Sequence, residues 1–414
     1  MRVSQCCPRR CMRRILTVIF SFALLSLFCE YTIYYIFIMQ CSWPVLSTQM
    51  SDTEVLRILV LADPHLVGVY KGHYFDRMRR DWQMTRAFAA ATFIHTPRVV
   101  FILGDLFDEG LWSNDVEFHK QLVRYHRIFA HDRSRIVLKN LVGNHDIGFH
   151  YAIHPYLDWR FRKQLTGSEN TTAVRLWVHA GIPFVLANSM AFEDDHCHLC
   201  MEAQQNVFDI GRHLSCSPKQ RLRNATVPCP ARLVINENRV PSFLDSNSET
   251  QQLNAYTRPI LLLHFPLFRK NEFECATDNA WDAMPYKDRK TAYRPKWDCL
   301  SESATSELLR KLRPRLVLSG HSHYSCLRNH SIPGESNISV PEYTVASFSW
   351  RNLPNPSFLM VSVTKTQHAV HKCYLPQETI IIVVYFLGIS AILFGPCLRR
   401  FFRHVRCRMG CSSH

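Results

Sequence analysis

Glycine is scarce in this chain, 14 of 414 residues, and its 21 prolines follow no period, which excludes collagen-like and low-complexity architectures. No stretch repeats at solenoid length. Charged residues make up only 20% against 47% hydrophobic ones, a balance that fits neither a disordered chain nor a protein of many membrane spans. The length allows one large domain or two modest ones with a well-buried core. The formal charge is the outlier at +15, a value that by itself points to nucleic acid. Its placement argues against that partner.

The fifteen residues from Gln40 to Glu54 contain no Lys or Arg. They follow a nearly unbroken apolar run, residues 15–39, long enough to cross a hydrocarbon core of about 30 Å. A second run of span length covers 379–398. Arg2, Arg9, Arg10, Arg13 and Arg14 precede the first run, and Arg399, Arg400, Arg403, Arg406 and Arg408 follow the second. These ten arginines account for most of the basic surplus. Basic residues stay on the cytosolic side, so tails 1–14 and 399–414 are expected in the cytosol and residues 40–378 in the lumen, with the membrane rather than nucleic acid as partner. A cleaved signal peptide is the competing reading of the first run, but it is long and no small-residue cleavage site follows it.

Two further features agree with a lumenal segment. Asn170, Asn224, Asn329 and Asn337 each begin an N-x-S/T acceptor triplet. Nine of the 16 cysteines also lie there, where disulfides persist. Cys197, Cys200, Cys216 and Cys229 sit in a polar stretch, about 193–257, that reads as an insertion between strands; two disulfides are expected there ahead of a zinc ribbon. Cys6, Cys7, Cys11, Cys397, Cys407 and Cys411 lie near the membrane as S-acylation candidates or plain cytosolic thiols.

From Arg57 the chain alternates short apolar runs with longer amphipathic ones. Strands are expected at 57–62, 98–103 and 136–142, with helices at 75–95 and 115–130 between them, an order that predicts an α/β layered fold. Later strands are expected at 183–188, 259–263, 315–319, 342–346 and 358–363. Polar residues with ligand chemistry gather where these strands end: Asp63 and His65 in D-P-H, Asp105 in G-D-L-F-D, and Asn144, His145 and Asp146 in G-N-H-D. His264 closes ILLLH, and His321 and His323 form G-H-S-H after LVLSG. In open α/β sheets the strand ends form the functional edge, so these groups are expected to converge. Any one of them alone is ordinary turn chemistry or a satisfied buried histidine; all of them, in this order, are not. The set contains no thiolate, and its imidazole and oxygen ligands suit Mn²⁺, Fe or Zn²⁺.

The set D-x-H, G-D, G-N-H-D, H and G-H-x-H resembles the calcineurin-like metallophosphoesterase superfamily over roughly residues 57–363. The resemblance implies a four-layer α/β sandwich of two mixed sheets flanked by helices, here with a transmembrane helix at each end. It implies two divalent cations, Mn²⁺ foremost, one held by Asp63, His65, Asp105 and His323 and the other by Asp105, Asn144, His264 and His321. Asp105 would bridge them, and His145, oriented by Asp146, would face the substrate as general acid.

Within the superfamily, the metal-binding Tyr of purple acid phosphatases is replaced by Leu106-Phe107-Asp108, and the phosphate-binding arginines of Ser/Thr phosphatases are missing. The stretches CSWP (41–44), RDWQM (80–84), VVFILGDLFDEG (99–110), GNHDIGFHY (143–151), SFSWRNLPNPSF (347–358) and KCYLP (372–376) resemble the membrane-bound subgroup that acts on glycosylphosphatidylinositol (GPI) anchors. That resemblance implies removal of an ethanolamine-phosphate branch, on the second mannose, from GPI-anchored proteins, in support of their export with cargo-export receptors. It also implies residence at endoplasmic reticulum exit sites, the ER-Golgi intermediate compartment and the cis-Golgi. The ending RMGCSSH departs from the subgroup's basic retrieval tail. The competing expectations are a lumenal phosphodiesterase for another phospholipid or sugar phosphate, and a non-catalytic cargo receptor on the same fold.

Overall fold

The structure is a computed structural model that describes residues 8–47, 55–166, 172–192, 195, 197–215, 257–276 and 280–410. It opens with a continuous helical rod: α1 (Pro8–Leu27), one π-turn (Phe28–Thr32) and α2 (Ile33–Met39). Then come β1 (Leu56–Leu61), α3 (Tyr74–His95), β2 (Val99–Ile102), α4 (Asp115–Ile128) and β3 (Val137–Asn140). The short α5 (Asn144–Ile147) and α6 (Pro155–Leu165) lead to β4 (Val174–His179) and β5 (Ile182–Ala187), and α7 (His198–Ser215) follows. The remainder is β6 (Ile260–Leu262), α8 (Glu302–Leu312), β7 (Leu316–Ser319), β8 (Cys326–Ile332), β9 (Glu335–Thr344), β10 (Ser357–Val363), β11 (His368–Tyr374) and α9 (Glu378–Gly410).

The strands form two mixed sheets, β11-β10-β1-β2-β3 and β4-β5-β6-β7-β9-β8. Alternation within each strand explains the layering. Ile58, Val60 and Ala62 of the first sheet's inner face meet Phe184, Leu262 and Leu318 of the second in one buried cluster. Leu59 and Leu61 point the other way, into a cluster that also takes in Met84, Ala87 and Phe88 of α3. Strands buried on both faces read as unbroken apolar runs, which is why RILVLA and RVVFIL were recognisable.

Between β5 and β6 lies the polar stretch, about 193–257, expected as an insertion; of it the structure describes 195, 197–215 and 257. These strands pair in parallel, which demands a crossover. Helix α7 supplies it, burying Cys200, Ala203, Val207, Ile210 and Leu214 at helical spacing. The cysteine expectation also changes. The disulfides among the described residues are Cys41–Cys373 and Cys275–Cys326. Cys197 is a free thiol whose sulfur accepts the Cys200 N–H at 2.9 Å, so the four insert cysteines do not form two bridges. Cys216 and Cys229 lie outside the described residues, as do the acceptors Asn170 and Asn224; Asn329 and Asn337 are exposed on β8 and β9.

Two helical segments, Met12–Met39 and Glu378–Gly395, are long and apolar enough to cross a membrane. Ile15, Leu16, Ile19, Phe20 and Leu24 of the first, and Ile382, Val383, Phe386 and Leu387 of the second, are exposed, unlike the residues of a core helix. The segments pack together closely enough that a Cβ on Gly388 would meet Leu25 at 2.6 Å. The connection to the α/β domain is a clamp. Glu30 pairs with Arg79 at 2.8 Å and Glu378 with Arg80 at 2.9 Å, both on α3. The Cys41–Cys373 disulfide closes the junction.

Candidate metal centre

The catalytic edge is built from chain reversals at the strand ends. Asp63, His65, Asp105, His321 and His323 all take positive φ, between 44° and 71°. That region is costly for residues with a Cβ, and it persists where a site over-determines it. Gly143 must be glycine: a Cβ there would lie 2.2 Å from Asp105 Oδ1 and 2.3 Å from the Asp105 nitrogen.

The structure brings the seven expected ligand residues together in two overlapping groups. In the first, Asp63, His65, Asp105 and His323 each offer a ligand atom within 4.8 Å of the others. His65 Nε2 lies 3.3 Å from Asp105 Oδ2 and 3.1 Å from His323 Nε2. In the second, Asp105, His264 and His321 converge in the same way, and Asn144 Oδ1 is 3.1 Å from His264 Nε2. Asp105 belongs to both groups.

The tautomers are set from outside. His264 Nδ1 donates to the Leu103 carbonyl at 2.8 Å and His321 Nε2 to the Trp297 carbonyl at 2.7 Å, so the opposite nitrogens face inward with lone pairs. His321 Nδ1 and Asp105 Oδ2 are buried with no hydrogen-bond partner. Buried polar atoms are rarely left so, and lone pairs converging from imidazole and carboxylate are the donor chemistry of a divalent cation. The electrostatics agree. Burial, with the Asp105 charge beside it, pushes Asp63 up to about 8, while burial pulls His321 down to about 3. A carboxylate resisting ionisation beside an imidazole held neutral by burial is a site short of positive charge. These residues fit two metal ions.

His145 stands at the rim. Burial disfavours its charge, but Asp105 and hydrogen bonds to Asp108 outweigh that and raise it to about 9. The carboxylate beside its ring is Asp108, at 3.2 Å, and not Asp146. Asp146 turns inward and accepts the N–H groups of Gly143 at 2.8 Å and Phe107 at 3.0 Å, holding the G-N-H-D turn against the G-D loop. Asp108 also meets His65 at 3.4 Å, Lys71 at 3.3 Å and Arg351 at 3.1 Å. Reading the strand ends missed Asp108, Lys71 and Arg351. Asp108 was visible as the second acid of G-D-L-F-D, and Arg351 as the charge inside SFSWRN.

The model of the calcineurin-like phosphoesterase family matches residues 56–325. The chain belongs to the calcineurin-like metallophosphoesterases. It is also 42% identical over 361 residues to metallophosphoesterase 1 of Ailuropoda melanoleuca, covering 87% of this chain and 83% of that protein. The protein of the same name from Mus musculus is 41% identical over 362 residues, 87% and 82% of the two chains. That of Gallus gallus is 38% identical over 371 residues, 87% and 83%. The chain is thus a metallophosphoesterase, a phosphoric ester hydrolase whose family works with a dinuclear divalent metal centre, and its own His and Asp clusters are able to bind metal.

Proposed function

We propose that this metallophosphoesterase is a two-cation phosphodiesterase that removes the ethanolamine-phosphate branch on the second mannose of GPI anchors, and so supports export of GPI-anchored proteins from endoplasmic reticulum to Golgi. The observation that carries the reading is the closeness of the catalytic edge to the apolar helices. Trp350 packs on Tyr34 of α2, ring centroids 6.4 Å apart, and lies under Arg79, which pairs with Glu30. The next residue, Arg351, reaches Asp108 beside His145. With both helices in a bilayer and the domain lumenal, the site opens beside the leaflet from which an anchor glycan projects, and confinement there raises the effective concentration of such substrates. On the other flank Phe149, Tyr151 and Trp297 form an aromatic shelf next to His321, with Tyr151 72% and Trp297 40% exposed. Exposed rings of this kind suit the apolar face of a sugar.

In this mechanism Asp63, His65, Asp105 and His323 would hold one cation, and Asp105, Asn144, His264 and His321 the other, with Mn²⁺ the metal proposed for both. Bound there, divalent cations supply Lewis acidity, polarising phosphoryl oxygens and lowering the pKa of an attacking water. Asp105 would contribute to both sets, and its Oδ1 accepts the His145 backbone N–H at 2.8 Å, which fixes the carboxylate in place. The His145 ring, held charged by Asp108, donates its proton to the leaving oxygen of the ester. Asp146 keeps the turn carrying Asn144 and His145 in register.

The test is mass spectrometry of GPI anchors from cells lacking the protein, rescued with wild type or Asp105→Ala. The reading expects the extra ethanolamine-phosphate to accumulate without the protein, to disappear with wild type and to persist with the variant. Normal anchors in the deficient cells would redirect the proposal to another phosphodiester.

A further inference from the structure

A second group of ligand side chains lies outside the dinuclear centre. His150, Asp195, Cys197 and Cys200 each place one donor atom within 4.8 Å of the others. His150 Nε2 is 2.6 Å from Asp195 Oδ2, and Cys200 Sγ is 3.4 Å from Asp195 Oδ1 and 3.8 Å from His150 Nδ1. Cys197 Sγ accepts the Cys200 N–H at 2.9 Å, and Asp195 Oδ1 accepts the Cys197 N–H at 3.1 Å. The C-x-x-C pair thus opens α7 with both sulfurs turned toward one imidazole and one carboxylate.

We propose that these four residues form a third metal site, a structural Zn²⁺ site chemically distinct from the dinuclear centre. Two thiolates, one imidazole and one carboxylate complete a closed four-coordinate set of the kind Zn²⁺ prefers, whereas the main centre contains no sulfur. His150 is oriented for the role: its Nδ1 lies 2.9 Å from the Met190 carbonyl, and donating there leaves the Nε2 lone pair facing Asp195. A lone pair and a carboxylate oxygen at that separation need a proton or a cation between them. Binding would release the two thiol protons to solvent, leaving both sulfurs as thiolates on the ion.

The site has a structural consequence. His150 lies between Phe149 and Tyr151, the two rings that stack at the aromatic shelf beside His321. An ion there would fasten the start of α7 to the loop that follows G-N-H-D and fix the shelf. The proposal stands whether or not the substrate is a GPI glycan.

The experiment uses full-length protein purified in detergent without reductant or chelator. Metal per chain is measured by mass spectrometry for wild type and for the Cys197→Ser/Cys200→Ser variant. The metals are then exchanged for Co²⁺ and the near-ultraviolet spectrum is recorded. The site predicts one Zn²⁺ equivalent lost in the variant and, in wild type, thiolate-to-Co²⁺ charge-transfer absorption that an all-imidazole and oxygen centre cannot produce. Loss of the dinuclear metals with this absorption intact would count against the proposed function and leave the third site standing. Should the double variant fail to fold, the single variant Cys197→Ser, which leaves the buried Cys200 in place, is compared with wild type and should lose the same absorption. Absence of that absorption in metal-replete protein, or peptide mapping that finds Cys197 or Cys200 in a disulfide, would overturn the proposal.

Discussion

Replacing Asp108 by Asn removes one negative charge that His65, Lys71, His145 and Arg351 share at 3.1–3.4 Å. Its effect on His145 separates from that of Asp105, because cations bound at Asp105 take up that carboxylate's charge while Asp108 stays free to act on the ring. An opposite charge at this range moves a pKa by about 1–3 units. His145 is raised to about 9 in the metal-free protein, and in the metal-loaded enzyme the alkaline limb of kcat/KM reports its deprotonation. At the midpoint of the wild-type limb, a downward shift of two units would cut the protonated fraction about fiftyfold. The assay is the pH profile of phosphodiester hydrolysis by wild type, Asp108→Asn and Asp146→Asn. Asp108→Asn should move the alkaline limb down by about 1–3 pH units. Asp146→Asn should leave the limb in place and cost stability, since it weakens acceptance of two buried N–H groups at about 1–3 kcal/mol each. A limb that moves with Asp146 and not with Asp108 would refute the assignment.

Other outcomes follow from the same geometry. Gly143→Ala drives a methyl into Asp105 and should abolish metal retention at a stability cost of about 1–3 kcal/mol, whereas Gly334→Ala, at φ +86 with nothing within 4 Å, should cost about 1–2 kcal/mol and leave turnover intact; metal analysis and thermal melts distinguish them. Cys373→Ala opens a bridge between residues 332 apart and should lower stability by about 2–5 kcal/mol, read by denaturant titration. For chelated protein, His145 and His264 are both raised to about 9, so their contribution is full below about pH 6.5 and lost as pH rises through about 9. Asp63, raised to about 8, acts with the same sign but from about pH 4 to about 8, so the melting temperature of the metal-free protein should fall from about pH 4 up to about 9. Asn329→Gln and Asn337→Gln should each raise gel mobility of protein expressed in cells, as lumenal placement requires; no change in either would count against it.

Four of the five strands of the first sheet and the metal cluster were legible because they follow from local pattern. Strands such as LRILVL are apolar on both faces, and each ends in a ligand motif. Strands β4, β8 and β11 were not found. In β8, CLRNHSI mixes exposed and buried positions, so its sequence carries no continuous apolar run. Helix α7 hid behind Cys, Asn and Gln, although its buried residues keep helical spacing. The Cys41–Cys373 bridge joins two quoted motifs, but its pairing depends on the juxtaposition of both apolar helices, which no local signal encodes. Asp146 and Asp108 exchanged places for a similar reason. Adjacency in sequence favoured Asp146, while the helical turn Asn144–Ile147 points it toward the backbone of the G-D loop.

The central claim, that turnover depends on cations sharing Asp105, is tested most directly by metal-dependent hydrolysis of a phosphodiester by purified wild type and Asp105→Asn. Wild-type activity should disappear with chelator and return with Mn²⁺, and Asp105→Asn, still folded by circular dichroism, should retain neither the two metals nor measurable turnover. Chelator-resistant turnover, or an Asp105→Asn variant as active as wild type, would contradict it.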